Sequence, residues 1–302
     1  MLSKQQRYRG ALLGLACGDA VGTTLEFAQR GTFTPITDMV GGGPFHLELG
    51  QWTDDTSMAL CLAASLVHCQ GFDAADQMDR YSQWRRNGYM SSNGRCFDIG
   101  GTVYDALRQY EKTGEPFSGA TDPQSAGNGS LMRLVPVVMF YHPDKDTAVH
   151  YAGESSRTTH GTQEAVDVCK LFAALLSKAL DGQLKAELLT TDPPEGVSPR
   201  LAAIAGGEYL SKTEDDISSS GYVVDTLEAA LWCFSRTVNF RDAILSAANL
   251  GGDADTTAAV VGQIAGAHYG VNAISNEWLS KLALKDEIAE LADALCNRAS
   301  VT

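Results

Sequence analysis

The chain has 302 residues, 44% of them hydrophobic, which is enough to bury a sizeable core within one large domain. Its 37 acidic residues outnumber 23 lysines and arginines, and the net charge of −14 opposes non-specific binding to nucleic acid or an anionic membrane. No apolar run reaches the length of a membrane span, and the seven cysteines lack CxxC spacing, so we expect reduced thiols and a cytoplasmic protein.

The dominant periodicity along the chain is helical, because apolar residues recur at three- and four-residue spacing. Glycine and alanine are frequent around residues 10–20 and 258–267, which predicts close helix packing. Further helices are predicted at 54–69, 101–111, 162–180, 223–235, 240–249, 255–268 and 285–298, whereas 135–140 fits a short strand or a buried helix. Loops rich in glycine, proline, serine or asparagine lie at 28–53, 87–101, 113–130 and 190–199. No βαβ rhythm or linker occurs, so we expect an all-α fold in a single domain spanning residues 1–302.

The first chemical motif is TDDT at residues 53–56, directly ahead of an apolar helix. It fits a helix N-terminus, because threonine or aspartate caps free amides and acidic residues suit the helix dipole. It also supplies oxygen atoms of the kind that bind divalent metal ions. Taken alone, the motif favours the cap.

The second motif is GGDADTT at residues 251–257, which runs into an alanine-rich helix and admits the same cap interpretation. On the first turn of a helix, carboxylates at i and i+2 and a hydroxyl at i+3 can converge on one point. Mg²⁺ and Mn²⁺ prefer such oxygen ligands. Two similar motifs far apart in sequence therefore favour a binuclear metal site that activates a water or hydroxyl, although spacing alone leaves the caps open.

Two glycine-containing segments complete the set of candidate motifs. DIGGT at 98–102 places a carboxylate beside a turn that enters a helix, and GNGSLMR at 127–133 offers backbone amides suited to phosphate. A helix cap and an ordinary Asn-Gly turn are the respective alternatives. HExxH, a Cys/His cluster and the third carboxylate of a DDxxD motif are missing, which argues against zinc hydrolase and terpenoid synthase chemistry.

In this order the motifs resemble the ADP-ribosylglycohydrolase family. The resemblance runs from about residue 7 to about residue 270 and rests on GDA at 18–20 with Glu26, TDDT at 53–56, GNGS at 127–130 with Met132 and Arg133, THG at 159–161, GY at 221–222 and GDADT at 252–256. The family implies a compact, orthogonal all-α bundle with two Mg²⁺ or Mn²⁺ ions at its centre.

The resemblance also implies roles for individual residues. Asp98 corresponds to the acid/base of arginine-directed members, Glu26 to a metal-proximal catalytic glutamate, and Asp255 to a catalytic ligand that bridges both ions. The implied metal ligands are Thr53, Asp54, Asp55, Asp253, Asp255 and Thr256. The implied contacts to the diphosphate, ribose and adenine of the substrate are Gly100, Gly101, Thr102, Gly127, Asn128, Gly129, Ser130, Met132, His160 and Tyr222.

The expected activity is metal-dependent hydrolysis that removes ADP-ribose from a modified protein, with arginine as the favoured linkage. The expected partners are an ADP-ribosylated protein and ADP-ribose, and the expected state is a monomer. Two alternatives stay open: an inactive ADP-ribose-binding or structural protein, and a hydrolase of another linkage, a small molecule or modified nucleic acid. The short polar segment after residues 121–123 leaves the linkage open.

Overall fold

Helices make up the regular secondary structure of residues 2–298, the part of the chain that the computed structural model describes. Within that part, β pairing is limited to isolated bridges, two of which, Ala120–His160 and Gly127–Tyr222, lie beside the site described below. The helices are α1 (Lys4–Gly22), α2 (Asp54–Cys69), α3 (Ala74–Asn87), α4 (Gly101–Thr113), α5 (Val135–Tyr141), α6 (Lys145–Arg157), α7 (Gln163–Leu180), α8 (Lys185–Leu188), α9 (Pro199–Ala205), α10 (Val223–Arg236), α11 (Phe240–Ala248), α12 (Ala254–Tyr269), α13 (Asn276–Lys281) and α14 (Lys285–Arg298). The predicted all-α fold is confirmed.

The predicted helices agree closely with the observed ones. Each of the seven numbered segments forms a helix, and 135–140 lies in the buried helix α5. The short helices α8, α9 and α13 were not predicted, and neither were the longer helices α3 and α6. Their buried faces include polar residues, among them Gln77 and Ser82 in α3 and Ser155 and Ser156 in α6, which blur the apolar period.

Helices α1 and α12 pack at backbone distance along a seam of small residues. A Cβ atom on Gly10, Gly14 or Gly18 would lie 2.2, 2.4 or 2.1 Å from a carbonyl oxygen of α12. Larger side chains would therefore force the helices apart, and the predicted close packing is confirmed. At the end of the seam a Cβ on Gly22 would lie 2.5 Å from the Cα atom of Asp255. The seam thus fixes the end of α1 against the start of α12.

The cysteines and the helix lengths agree with what the composition predicts. The seven cysteines are free thiols, five of them buried. Within residues 2–298, no helix is both long and apolar enough to cross a membrane. The single domain over residues 1–302 stays a prediction.

Candidate active site

A cavity of about 360 Å³ opens where the N-termini of α2, α4 and α12 meet. Most of the residues predicted for the site line this cavity. They are Glu26, Asp54, Asp98, Gly100, Gly101, Thr102, Gly127, Asn128, Gly129, Met132, His160, Asp253, Asp255 and Thr256. Thr53 and Asp55 are fully buried behind the lining residues, and Ser130 and Tyr222 also lie outside the cavity wall. The structure therefore brings together both acidic motifs and both glycine-containing segments.

The first acidic group joins the TDDT motif to helix α1. Carboxylate oxygens of Asp19, Asp55 and Asp255 lie within 4.8 Å of one another, a spacing suited to one metal ion. The hydroxyl of Thr53 lies 2.8 Å from Asp19 Oδ1 and 3.5 Å from Asp255 Oδ2. Asp19 was not among the expected site residues. The signal that could have found it is a lone carboxylate within the apolar run of the first helix.

The second acidic group lies on the cavity side of the first. Oxygens of Glu26, Asp253 and Asp255 also lie within 4.8 Å of one another, so Asp255 belongs to both groups. Asp54 lines the same cavity without belonging to either group. Two adjacent oxygen clusters that share one carboxylate match the arrangement of donors in a binuclear site.

The helix caps near these groups come from residues that the cap interpretation did not consider. Asp19 accepts hydrogen bonds from the backbone N–H groups of Thr53 and Thr56 at 2.9 and 3.0 Å, and it thereby caps α2. Glu26 Oε2 accepts from Ala254 N–H at 2.8 Å and caps α12. The side chains of Thr53 and Asp253, at the N-cap positions, make no capping hydrogen bond. The predicted capping by Thr53 and Asp253 is therefore wrong, whereas both motifs do begin helices and place acidic residues in the first turn.

The electrostatics of the two groups favour a cation. Burial raises the pKa of Asp54 and Asp55 well above the usual range, and repulsion from Asp255 and Asp19 raises it further. Burial also raises the pKa of Asp255, to about 7. Asp55 Oδ1 is buried without a hydrogen-bond partner in the described residues, which is costly unless a ligand contacts it. The donor set therefore fits divalent metal ions.

Asp98 lies apart from the acidic groups but lines the same cavity. It adopts a left-handed backbone conformation with φ of 59°, which is uncommon for a residue with a side chain and is frequent at functional sites. Burial, followed by repulsion from Asp54, raises the pKa of Asp98 to about 11. Helix α4 begins three residues later, and its N-cap Gly100 offers no capping side chain. The cap interpretation of this motif is therefore also wrong.

The glycine turn 127–129 forms another part of the cavity wall. The amide of Asn128 donates at 2.9 Å to Asp253 Oδ2 and at 2.9 Å to Thr226 Oγ1, so the turn is joined to the second acidic motif. A Cβ on Gly129 would lie 2.7 Å from Cε1 of His160, so the histidine ring packs directly on the turn. The glycines thus leave room for the ring and expose backbone to the cavity.

Ser130 and Tyr222 do not line the cavity. Ser130 Oγ lies at hydrogen-bond distance, 2.8 Å, from Ser156 Oγ, and only 2% of Ser130 is exposed. Tyr222 lies in a neighbouring cleft that shares Thr102 and Gly127 with the cavity. The guanidinium of Arg200 lies 5.7 Å from the centroid of its ring. A ligand that extends from the cavity past Gly127 would reach this ring.

Aromatic side chains that the sequence analysis did not single out lie at the mouth of the cavity. Phe27 lines the cavity with 68% of its surface exposed, and its φ is 61°. The Phe45 ring lies 6.3 Å from the Phe27 ring and 5.6 Å from the Phe97 ring, measured between centroids. The backbone N–H of Phe27 donates to Gly252 O at 2.8 Å, which attaches this segment to the second acidic motif.

Comparisons with known proteins agree with this arrangement. The sequence profile described as ADP-ribosylglycohydrolase matches residues 2–302. The "ADP-ribosylarginine hydrolase Tri1" of Pseudomonas putida is 50% identical over 97% of this chain and 78% of its own length. The "ADP-ribosyl-[dinitrogen reductase] glycohydrolase" of Rhodospirillum rubrum is 33% identical over 97% of this chain and 96% of its own length.

A solved structure supports the same assignment at the level of the fold. The structure described as "ADP-ribosylglycohydrolase-related protein complex" superposes with a TM-score of 0.86 at 44% identity, covering 98% of this chain and 99% of the other. The chain belongs to the ADP-ribosylglycohydrolase family, and the expected family and fold are confirmed. The roles of the individual site residues stay predictions.

Proposed function

We propose that this protein hydrolyses the N-glycosidic bond between ADP-ribose and an arginine side chain of a modified protein. The observation that carries the proposal is a single cavity with Asp98 on its wall and two oxygen clusters that share Asp255. The arginine linkage is supported by the relative from Pseudomonas putida, which shares half of its aligned residues with this chain and carries that activity in its name.

The proposed metal site holds two divalent ions, Mg²⁺ or Mn²⁺, between the two acidic motifs. The proposed ligands are Thr53, Asp54, Asp55, Asp253, Asp255 and Thr256. When bound, the ions supply Lewis-acid polarisation of oxygen. Asp19 orients Thr53 and Thr56 through four hydrogen bonds, and Glu26 holds the first turn of α12. Both residues therefore position the ligands.

The proposed chemistry of the protein side chains centres on Asp98. Burial and repulsion from Asp54 raise the pKa of Asp98 to about 11, which favours its carboxyl as the group that gives a proton to the departing guanidine nitrogen while a water molecule adds to the anomeric carbon and the C–N bond breaks. Gly100, Gly101 and Thr102 present the uncapped amides of α4 to a ligand oxygen. Gly127, Asn128, Gly129 and Met132 border the diphosphate, and Tyr222 stacks on adenine in the neighbouring cleft.

The decisive experiment measures free ADP-ribose released from an arginine-modified protein, by mass spectrometry, in Mg²⁺, Mn²⁺ or EDTA. The proposal expects release with a metal ion and none in EDTA. A serine-modified protein is the matched control for linkage. Binding of ADP-ribose without release from either substrate would indicate an inactive binding protein instead. Release from the serine substrate alone would assign another linkage.

The proposal includes a monomer that acts in the cytoplasm as one domain over residues 1–302. Because acidic residues are in excess, the modified substrate is proposed to be a protein and not a nucleic acid. Light scattering in the presence and absence of metal checks the monomer. A dimer at micromolar concentration would contradict this part and leave the proposed reaction untouched.

A further inference from the structure

A buried arginine lies behind the glycine turn. Arg133 has no exposed surface, and its guanidinium lies 4.6 Å from the centroid of the Tyr81 ring. The oxygen atoms that accept its hydrogen bonds are neutral: Thr159 Oγ1 at 2.7 Å, Thr158 Oγ1 at 3.3 Å and the carbonyl of Ser155 at 3.4 Å. Burying a guanidinium without a carboxylate partner is costly, which indicates a role beyond filling the core.

The hydrogen bond from Arg133 to Thr159 determines the direction of the one between Thr159 and His160. A guanidinium only donates, so Thr159 Oγ1 accepts from Arg133. The same oxygen lies 2.9 Å from His160 Nδ1, and Thr159 has no exposed surface. If Nδ1 carried a proton, the Thr159 hydroxyl hydrogen would have no acceptor in the described residues. The buried hydroxyl therefore donates to Nδ1, and the proton of the neutral imidazole lies on Nε2.

The other edge of the ring faces the cavity. A Cβ on Gly127 or Gly129 would lie 3.3 or 3.2 Å from His160 Nε2, so this atom is directed at the glycine turn. Ser156 Oγ donates to the His160 carbonyl at 2.8 Å and holds the backbone of the histidine. Burial, with a smaller contribution from Arg133, lowers the pKa of His160 to about 3, so the ring is neutral at physiological pH.

From this geometry we infer that Arg133 and Thr159 are positioning residues that fix His160 as its Nε2–H tautomer, a neutral donor to a phosphate or ribose oxygen. The identity of the ligand rests on the proposed function, whereas the tautomer does not. With Nδ1 protonated instead, Nε2 would present a lone pair, which repels a phosphate oxygen and could interact only with a ribose hydroxyl that donates to it. Because the ring is neutral, it also does not compete with metal ions for the carboxylates of the cavity.

The first test reads the tautomer directly. Histidine-selective ¹⁵N labelling of the full chain and long-range ¹H–¹⁵N correlation report which ring nitrogen is protonated. We expect the parent and Thr159→Ser to show a protonated Nε2 and a bare Nδ1 in neutral buffer. Thr159→Val, which removes the hydroxyl but keeps the branched shape, should lose this preference. A protonated Nδ1 in the parent would overturn the inference.

The second test measures the affinity for ADP-ribose by calorimetry at saturating Mg²⁺. Because the apparent affinity falls in proportion to the fraction of the competent tautomer, Thr159→Val should weaken binding by about twofold or more. Thr159→Ser should bind ADP-ribose as tightly as the parent.

Thr158→Val is the matched control, since Thr158 also accepts from Arg133 but is not hydrogen-bonded to the His160 ring. It should keep both the affinity and the tautomer, and thermal unfolding checks that each variant folds. An equal loss of affinity in Thr158→Val and Thr159→Val would assign the effect to the packing of Arg133 and overturn the inference. A parent that fails to bind ADP-ribose would contradict the proposed function, while the ¹⁵N spectra would still decide the tautomer.

Discussion

The cavity has two walls that differ in how their polar atoms are satisfied. The acidic wall consists of Asp54, Asp253, Asp255 and Glu26, with Asp19 and Asp55 behind it, and its carboxylates repel one another. The glycine wall consists of residues 127–129 and His160. On this wall the side chains of Asn128 and His160 each have a hydrogen-bond partner within the protein.

This difference separates two ways of building a binding site. The acidic wall holds an oxygen atom, Asp55 Oδ1, for which the described residues provide no donor, so a cation can complete it. The glycine wall is already complete and offers a preset donor and free backbone to a ligand. Metal loss should therefore disable the first wall and leave the second formed. Each prediction below tests one side of this contrast.

The largest effect should come from Asp255→Asn, because this carboxylate belongs to both acidic groups. We expect turnover to fall by more than about 10⁴-fold, since the two oxygen clusters lose their shared anionic ligand. Calorimetry with Mn²⁺ should show metal binding weakened by more than about 100-fold, beyond the 10–100-fold typical of residues that merely orient ligands.

Asp286→Asn is the control for this variant, because the Asp286 side chain is 81% exposed and lies outside the cavity. It should retain the turnover and the metal affinity of the parent. Unchanged metal binding in Asp255→Asn would remove the central argument for the acidic wall.

The next effect should come from Asp98→Asn, which keeps the shape of the side chain and removes its proton transfer. We expect turnover on an arginine-linked substrate to fall by about 10²–10⁴-fold, the usual contribution of a positioned acid or base. The affinities for metal and ADP-ribose should stay within about twofold, as neither acidic group contains Asp98. Equal turnover in the variant and the parent would dismiss the proton transfer.

The acidic wall could be predicted from sequence to a large extent. The motifs at 53–56 and 253–256 each place several oxygens on the first turn of a helix, so local spacing is enough to bring them together. The helices themselves follow from long apolar runs, because α2 and α12 are buried on nearly all sides. What spacing could not show is that these two helix starts face each other, because that depends on the seam between α1 and α12.

Long-range partners explain what the sequence did not reveal. Asp19 caps α2 from a different helix, and Glu26 caps α12 from more than two hundred residues away, so motif spacing pointed to the wrong caps. On the glycine wall, Ser130 belongs to a matching motif but points into the core, where it is hydrogen-bonded to Ser156. A motif identifies residues that are neighbours in sequence, but the tertiary fold determines where each of their side chains points.

A smaller effect, on stability, should follow from Gly18→Ala in the seam. The new Cβ would lie 2.1 Å from Ala258 O, and backbone must move to accept it. Overpacking of this kind costs about 1–3 kcal/mol, more than the ~1 kcal/mol that alanine gains over glycine in a helix. Urea unfolding should show a net loss of about 1 kcal/mol, with weaker metal binding because Asp19 shifts.

Gly206→Ala is the control for the seam, because a Cβ there meets its nearest atom at an ordinary 3.5 Å. Its unfolding midpoint should stay close to that of the parent. A stable Gly18→Ala protein with parental metal affinity would show that the seam does not position the acidic wall.

The last effect concerns the glycine wall and its response to acid. The pKa of His160 is lowered from 6.5 to about 3 by burial, so protonation favours the unfolded chain. This contribution to stability is present above an unfolded pKa of 6.5 and is lost as the pH falls toward 3. Between about pH 7 and about pH 5 the loss is roughly 2 kcal/mol. His160→Asn has no group at this position that titrates in this range. Its free energy of unfolding should therefore fall by roughly 2 kcal/mol less than that of the parent, measured by urea unfolding with EDTA present. If both proteins lose stability equally, His160 is already accessible to protons in the folded state, and the glycine wall is less complete than its hydrogen bonds indicate.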